Sequence, residues 1–82
     1  MENSPLQKWE NCLAYFQNNV APDIFDRWFR PIGFYSLEED TLRLTVPTEM
    51  FFKFIEANYL PLIKSGIGRF FGAVKLRYRL SN

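Results

Sequence analysis

The chain has 82 residues, 48% of them hydrophobic and 18% aromatic, with ten Lys and Arg against nine Asp and Glu and no histidine. That length suits one domain, spanning 1–82, that buries about 60–65% of its unfolded surface, and so many aromatics exclude a disordered chain. No apolar run approaches the ~20 residues that cross a bilayer, and near-neutral charge excludes the broad positive field of a dedicated duplex-DNA binder. The N-terminus, Met1-Glu2-Asn3-Ser4-Pro5, has an acid where a secretory leader has basic residues, and no apolar segment follows. Cys12 stands alone, which rules out an internal disulfide and fits a reducing compartment. The expectation is a soluble, globular, cytoplasmic protein.

In chain order, Ser4 followed by Pro5 starts a first helix, the hydroxyl capping free N–H groups and the proline losing nothing at the first helical position. Leu6, Trp9, Leu13, Phe16 and Val20 carry its apolar stripe, with Cys12 on the next row, and its end is expected near Asn18 or Asn19. Pro22 opens a short second helix with Ile24, Phe25, Trp28 and Phe29 on one face, and Pro31 ends it. The period then changes. Phe34 to Leu37, an acidic turn at Glu38-Glu39-Asp40, and Leu42, Leu44 and Val46 alternating with Arg43 and Thr45 predict a β-hairpin. Pro47 closes the second strand, Thr48 caps a third helix, and Phe51, Phe52, Phe54, Ile55 and Tyr59 make that helix strongly aromatic. Pro61 predicts a kink or a new helix starting near Leu60. Gly66 and Gly68 weaken the continuing period, and Gly72 suits the left-handed position after the last turn. Val74, Leu76, Tyr78 and Leu80, alternating with Lys75, Arg77 and Arg79, form a third strand. The order helix, helix, strand, strand, one or two helices, strand predicts an α+β fold with helices on a small three-stranded sheet.

Trp9 with Cys12-Leu13, Phe25 with Trp28-Phe29 and Pro31, the run Leu42-Arg43-Leu44-Thr45-Val46-Pro47, and the aromatic helix through Tyr59 together resemble the N-terminal domain of the bacterial replication initiator DnaA. The resemblance covers essentially the whole chain. It implies a K-homology-like fold used as a protein-interaction module, followed in intact initiators by a linker, an ATP-binding AAA+ domain and a helix-turn-helix domain. The phosphate-binding Gly-x-x-x-x-Gly-Lys-Ser/Thr pattern is missing from this chain, so no nucleotide cofactor is assigned to it.

Three sets of residues are candidates for contact. Trp9, beside Leu6 and Leu13, reads from the residues alone as core packing. The resemblance instead implies an exposed patch, Leu6, Trp9 and Leu13, through which such domains self-associate weakly, although Lys8 stands where the family often has an apolar residue. Ile24 and Met50 match positions that help recruit the replicative helicase in well-known members, where they are acidic and aromatic respectively. Here they form either an apolar contact patch for helicase or initiation regulators or part of the core. Lys75, Arg77 and Arg79 point to one side of the third strand, as a solvated or edge-guarding face or as a weak single-stranded nucleic-acid surface. The Gly66-Ile67-Gly68 sequence lacks the Gly-x-x-Gly spacing of a K-homology clamp, so strong sequence-specific binding is not expected.

No catalytic, cofactor or metal site is expected. The chain has no histidine to activate Cys12, and Glu38, Glu39 and Asp40 lack calcium-loop spacing. The leading reading is a non-enzymatic module that gains effective concentration from a tether to the rest of the initiator. A K-homology-like single-strand binder, or a free-standing copy competing for the initiator's partners, is the alternative.

Overall fold

The structure, a computed structural model, describes residues 4–81. The leader reading rests partly on Met1, Glu2 and Asn3, which lie outside the described residues, as does Asn82. The elements are α1 (Pro5–Gln17), α2 (Pro22–Trp28), β1 (Gly33–Glu38), β2 (Thr41–Val46), α3 (Glu49–Phe71) and β3 (Lys75–Leu80). This is the α+β arrangement expected.

Local chemistry sets most of the boundaries. The Ser4 hydroxyl accepts the Gln7 N–H at 3.1 Å, Pro5 occupies the first helical position, and Asn18 closes α1. α2 likewise opens on Pro22 and ends at Phe29. The β1–β2 turn places Glu39 and Asp40 at φ 50° and 64°, the paired left-handed conformation that lets a two-residue turn follow the twist of its strands. Thr48 caps α3 by accepting the Phe51 N–H at 3.0 Å. Gly72, at φ 80°, takes a backbone conformation that L side chains resist and closes the helix with its N–H on the Gly68 carbonyl.

The expected option of a separate helix after Pro61 is corrected: α3 runs unbroken from Glu49 to Phe71. An interior proline costs about 3 kcal/mol. Ile55, Ile63 and Ile67, on both sides of it, are all buried, and burying each such side chain returns about 1.5–3 kcal/mol. Continuity of one buried face therefore outweighs the lost bond. Gly66, which weakens the helix in isolation, allows α1 and α3 to approach closely: a Cβ there would lie 2.5 Å from the Phe16 ring. Beside it the Tyr15 and Ser65 hydroxyls share a hydrogen bond at 3.1 Å.

The sheet order is β1-β2-β3, with β1 antiparallel and β3 parallel to β2. A bulge between Phe34 and Ser36 sends Tyr35 outward. Leu42, Leu44 and Val46 on the inner face meet Trp9, Cys12 and Phe16 of α1, Phe25, Phe29 and Ile32, and Phe51, Ile55, Ile63 and Ile67 of α3 in one core. Phe29 lies near its centre, with ring centroids 5.0 Å from Phe16 and 5.3 Å from Tyr59.

Candidate protein-interaction site

The junction of α2 with the first two turns of α3 carries an apolar groove lined by Trp28, Thr48, Met50, Phe51 and Phe54. Its shape follows from where α3 starts. With Thr48 fixed as the cap, Phe51 and Ile55 turn into the core, and Met50 and Phe54, each one residue earlier, point about 100° round the helix. Met50 is therefore 80% exposed and Phe54 36% exposed. The Trp28 indole lies flat on Phe54, centroids 3.7 Å apart at 15°, and contacts Phe51 at 5.3 Å. On α3, Glu49 pairs with Lys53 at 3.8 Å, one residue before Met50 and Phe54 respectively. At the end of α2, Arg30 pairs with Asp26 at 2.8 Å, two residues either side of Trp28 and so on the helix face away from it. These exposed pairs contribute little to stability. An apolar floor with an aromatic anchor and an adaptable methionine is the anatomy of a protein contact.

Of the two residues singled out in the sequence for partner binding, Met50 lines this groove. Ile24 is half-buried against the core and stands one turn before Trp28 on α2, on the row that leads to the groove. Trp28 and Phe54 were not singled out. The signal for Phe54 was a helix start with more large apolar residues than one helical face can bury; Trp28, at the end of α2, offered only its helical spacing.

The exposed indole expected at Trp9 is corrected. Trp9 is 3% exposed and meets Phe16 edge-on at 6.2 Å. The reason is angular: Trp9, Cys12 and Phe16 form the centre of the buried stripe of α1, whereas Leu6 and Leu13 fall on its flank. Leu6 is 52% exposed and Leu13 half-buried, so Leu6, Trp9 and Leu13 do not make a continuous open patch. Cys12 is fully enclosed, and burial pushes its thiol from the ordinary 9.0 up to about 12. That protonated thiol is no nucleophile at neutral pH.

Lys75, Arg77 and Arg79 are exposed on the outer face of β3, with Arg43 beside Arg77 on β2. Arg43 reaches Glu38 at 3.5 Å, and the Arg79 guanidinium lies 4.3 Å above the Tyr35 ring. Leu76 and Tyr78 turn inward, where Phe52 contacts the Tyr78 ring at 4.7 Å. The Tyr78 hydroxyl is buried without a hydrogen-bond partner among the described residues. Burial, and then the charge of Glu56, raise its pKa from the ordinary 10.0. Among the described residues no three His, Cys, Asp or Glu side chains gather as a metal site, and no helix is long and apolar enough to cross a membrane.

Comparison with known proteins places this arrangement. The sequence profile described as DnaA N-terminal domain matches residues 7–67. The chromosomal replication initiator protein DnaA of Flavobacterium psychrophilum is 30% identical over 81 residues, covering 98% of this chain and 17% of that protein. DnaA of Porphyromonas gingivalis is 38% identical over 64 residues, covering 78% of this chain and 14% of that protein. The chain thus spans a small part of the length of these relatives. Among solved structures, a HobA–DnaA (domain I-II) complex from Helicobacter pylori matches with a TM-score of 0.73 over 90% of this chain and 98% of that one, and at 16% identity it shows a shared fold. With the profile covering most of the residues from α1 into α3, the chain belongs to the DnaA N-terminal domain family.

Proposed function

We infer that this chain is a non-enzymatic protein-interaction module of a replication initiator, and that its α2–α3 groove docks an initiation regulator or the replicative helicase. The observation that carries the reading is Met50, left 80% exposed beside the stacked Trp28 and Phe54. Folding gains little from an apolar side chain in water, whereas a partner that covers it gains a ready-made contact. Support for a regulator comes from the fold neighbour, a DnaA domain that was solved in complex with HobA. No cofactor enters this reading. Because each contact is small, tethering to a DNA-bound initiator supplies the effective concentration that makes weak docking productive.

The test is an affinity titration of the purified cognate helicase, and separately of a cognate regulator, against the parent and Met50→Glu. Circular dichroism establishes that the variant is folded. Binding of at least one partner should weaken by about tenfold or more. Unchanged affinity of a folded variant for both would remove the groove from the interface.

A further inference from the structure

The outer margin of β3 combines three features that the groove between α2 and α3 does not use. The first is an open strand edge. In the sheet order β1-β2-β3, β3 has β2 as its one neighbouring strand. The Lys75 N–H bonds the Asp40 carbonyl at 2.7 Å and the Ser81 N–H bonds the Val46 carbonyl at 2.9 Å, so the odd-numbered residues direct their backbone toward β2. By the same alternation Leu76, Tyr78 and Leu80 direct theirs away from the sheet. Across that edge the only bond seen among the described residues is a long one, 3.5 Å from the Arg77 guanidinium to the Leu76 carbonyl.

The second feature is charge. Lys75, Arg77 and Arg79 occupy every outward position of the strand from 75 to 79, and Arg43 reinforces them from β2. The third lies on the inner side, where two recesses open along the same margin. One is bounded by Ile67, Gly68, Val74 and Leu76 with Lys64 at its border, and the other by Phe52, Tyr78 and Leu80 with Glu49 and Arg79 at its border. Leu80 remains 47% exposed.

We propose that β3 accepts an additional strand from a partner protein, an extended peptide that alternates acidic with apolar residues. Its backbone pairs with the outward N–H and C=O groups of Leu76, Tyr78 and Leu80, the geometry of strand addition. In a pleated strand alternate side chains go to opposite faces. One set then lies beside Lys75, Arg77 and Arg79 and is acidic, while the other covers the recesses and is apolar. The charge selects among occupants. A second copy of β3 would set a basic row against a basic row, which opposes pairing. A nucleic-acid strand would meet the charges through its phosphates but gains its further grip from aromatic faces on which bases stack, and the exposed ring on this face, Tyr35, already carries the Arg79 guanidinium. An acidic peptide satisfies both the charges and the backbone.

The probe is a synthetic peptide alternating glutamate and valine, titrated into isotopically labelled protein and followed by amide chemical shifts and hydrogen exchange. Lysine-for-glutamate peptide and an oligothymidylate serve as controls. The amides of Leu76, Tyr78 and Leu80 should gain protection, and binding should weaken with added salt. Arg77→Glu combined with Arg79→Glu should weaken binding by about tenfold or more. Leu80→Pro removes one outward donor at an edge position that tolerates proline, and should weaken binding while circular dichroism shows the sheet intact. Binding without protection of those three amides overturns the proposal. So does absence of peptide binding, and so does capture of the oligothymidylate in preference to the peptide. Met50→Glu should leave this binding unchanged, which separates its outcome from that of the groove.

Discussion

The first turns of α1 and of α3 are built alike and end in opposite surroundings. Each begins at a hydroxyl cap, Ser4 on the Gln7 N–H and Thr48 on the Phe51 N–H, and each carries large apolar side chains within two turns. Yet Trp9 is 3% exposed and Met50 80%. The stripe of α1 is narrow enough for the core to take its centre, so only Leu6 is left open at its flank. α3 carries apolar residues around more of its circumference than the sheet and α1 can cover, and the surplus comes to the surface beside Trp28. Exposure of a large side chain is thus decided by angular position relative to the core.

That contrast can be broken experimentally. Trp9→Ala removes a buried indole and should cost about 3–5 kcal/mol in denaturant unfolding; a loss below about 1 kcal/mol would mean that the side chain is not enclosed. Next in size is the response of α1 to alkali. The folded Cys12 thiol keeps its proton up to about 12, whereas the unfolded one releases it near 9.0. The thiol's contribution to stability should therefore be constant below pH 9 and fall as pH climbs from 9 toward 12, at up to about 1.4 kcal/mol per pH unit for this one group. Tyr78, raised above 10.0 by burial and then by Glu56, acts in the same direction. Unfolding titrations of the parent and Cys12→Ala across this range measure the thiol's share, which a solvent-open cysteine would not contribute. Smallest of all, Met50→Ala should change stability by no more than about 0.5 kcal/mol, since folding does not depend on a side chain left in water. A loss comparable to that of Trp9→Ala would erase the distinction.

Much of the fold was legible because the chain is strongly punctuated. Ser4-Pro5, Pro22, Pro31, Pro47-Thr48 and Gly72 mark starts and stops through backbone chemistry that acts locally, and the observed boundaries fall at or within a few residues of those marks. Pro61 misleads for the same reason: its local cost is real, but the decision belongs to Ile55, Ile63 and Ile67, whose burial depends on elements distant in sequence. The parallel pairing of β3 with β2 is likewise a long-range outcome that alternation cannot specify.

The site was less legible. For Trp9 the residue pattern alone favoured the core, and the expectation of an exposed indole came from resemblance to other members of the family. Met50 was singled out by position, with its environment left open between patch and core. Trp28 and Phe54 complete the groove only because two helices, separated by the hairpin, meet there. Helical spacing alone identified each as aromatic and helical, but not as a pair stacked 3.7 Å apart.

The parallel β3 also bears on the order of assembly. β1 and β2 are joined by a tight turn and can zip locally, but β3 reaches β2 only after the whole of α3 has been spanned. The entropy lost in closing so long a loop is recovered only when the final register forms. The hairpin and the caps can thus act as early seeds, while the basic strand is the piece whose docking completes the sheet.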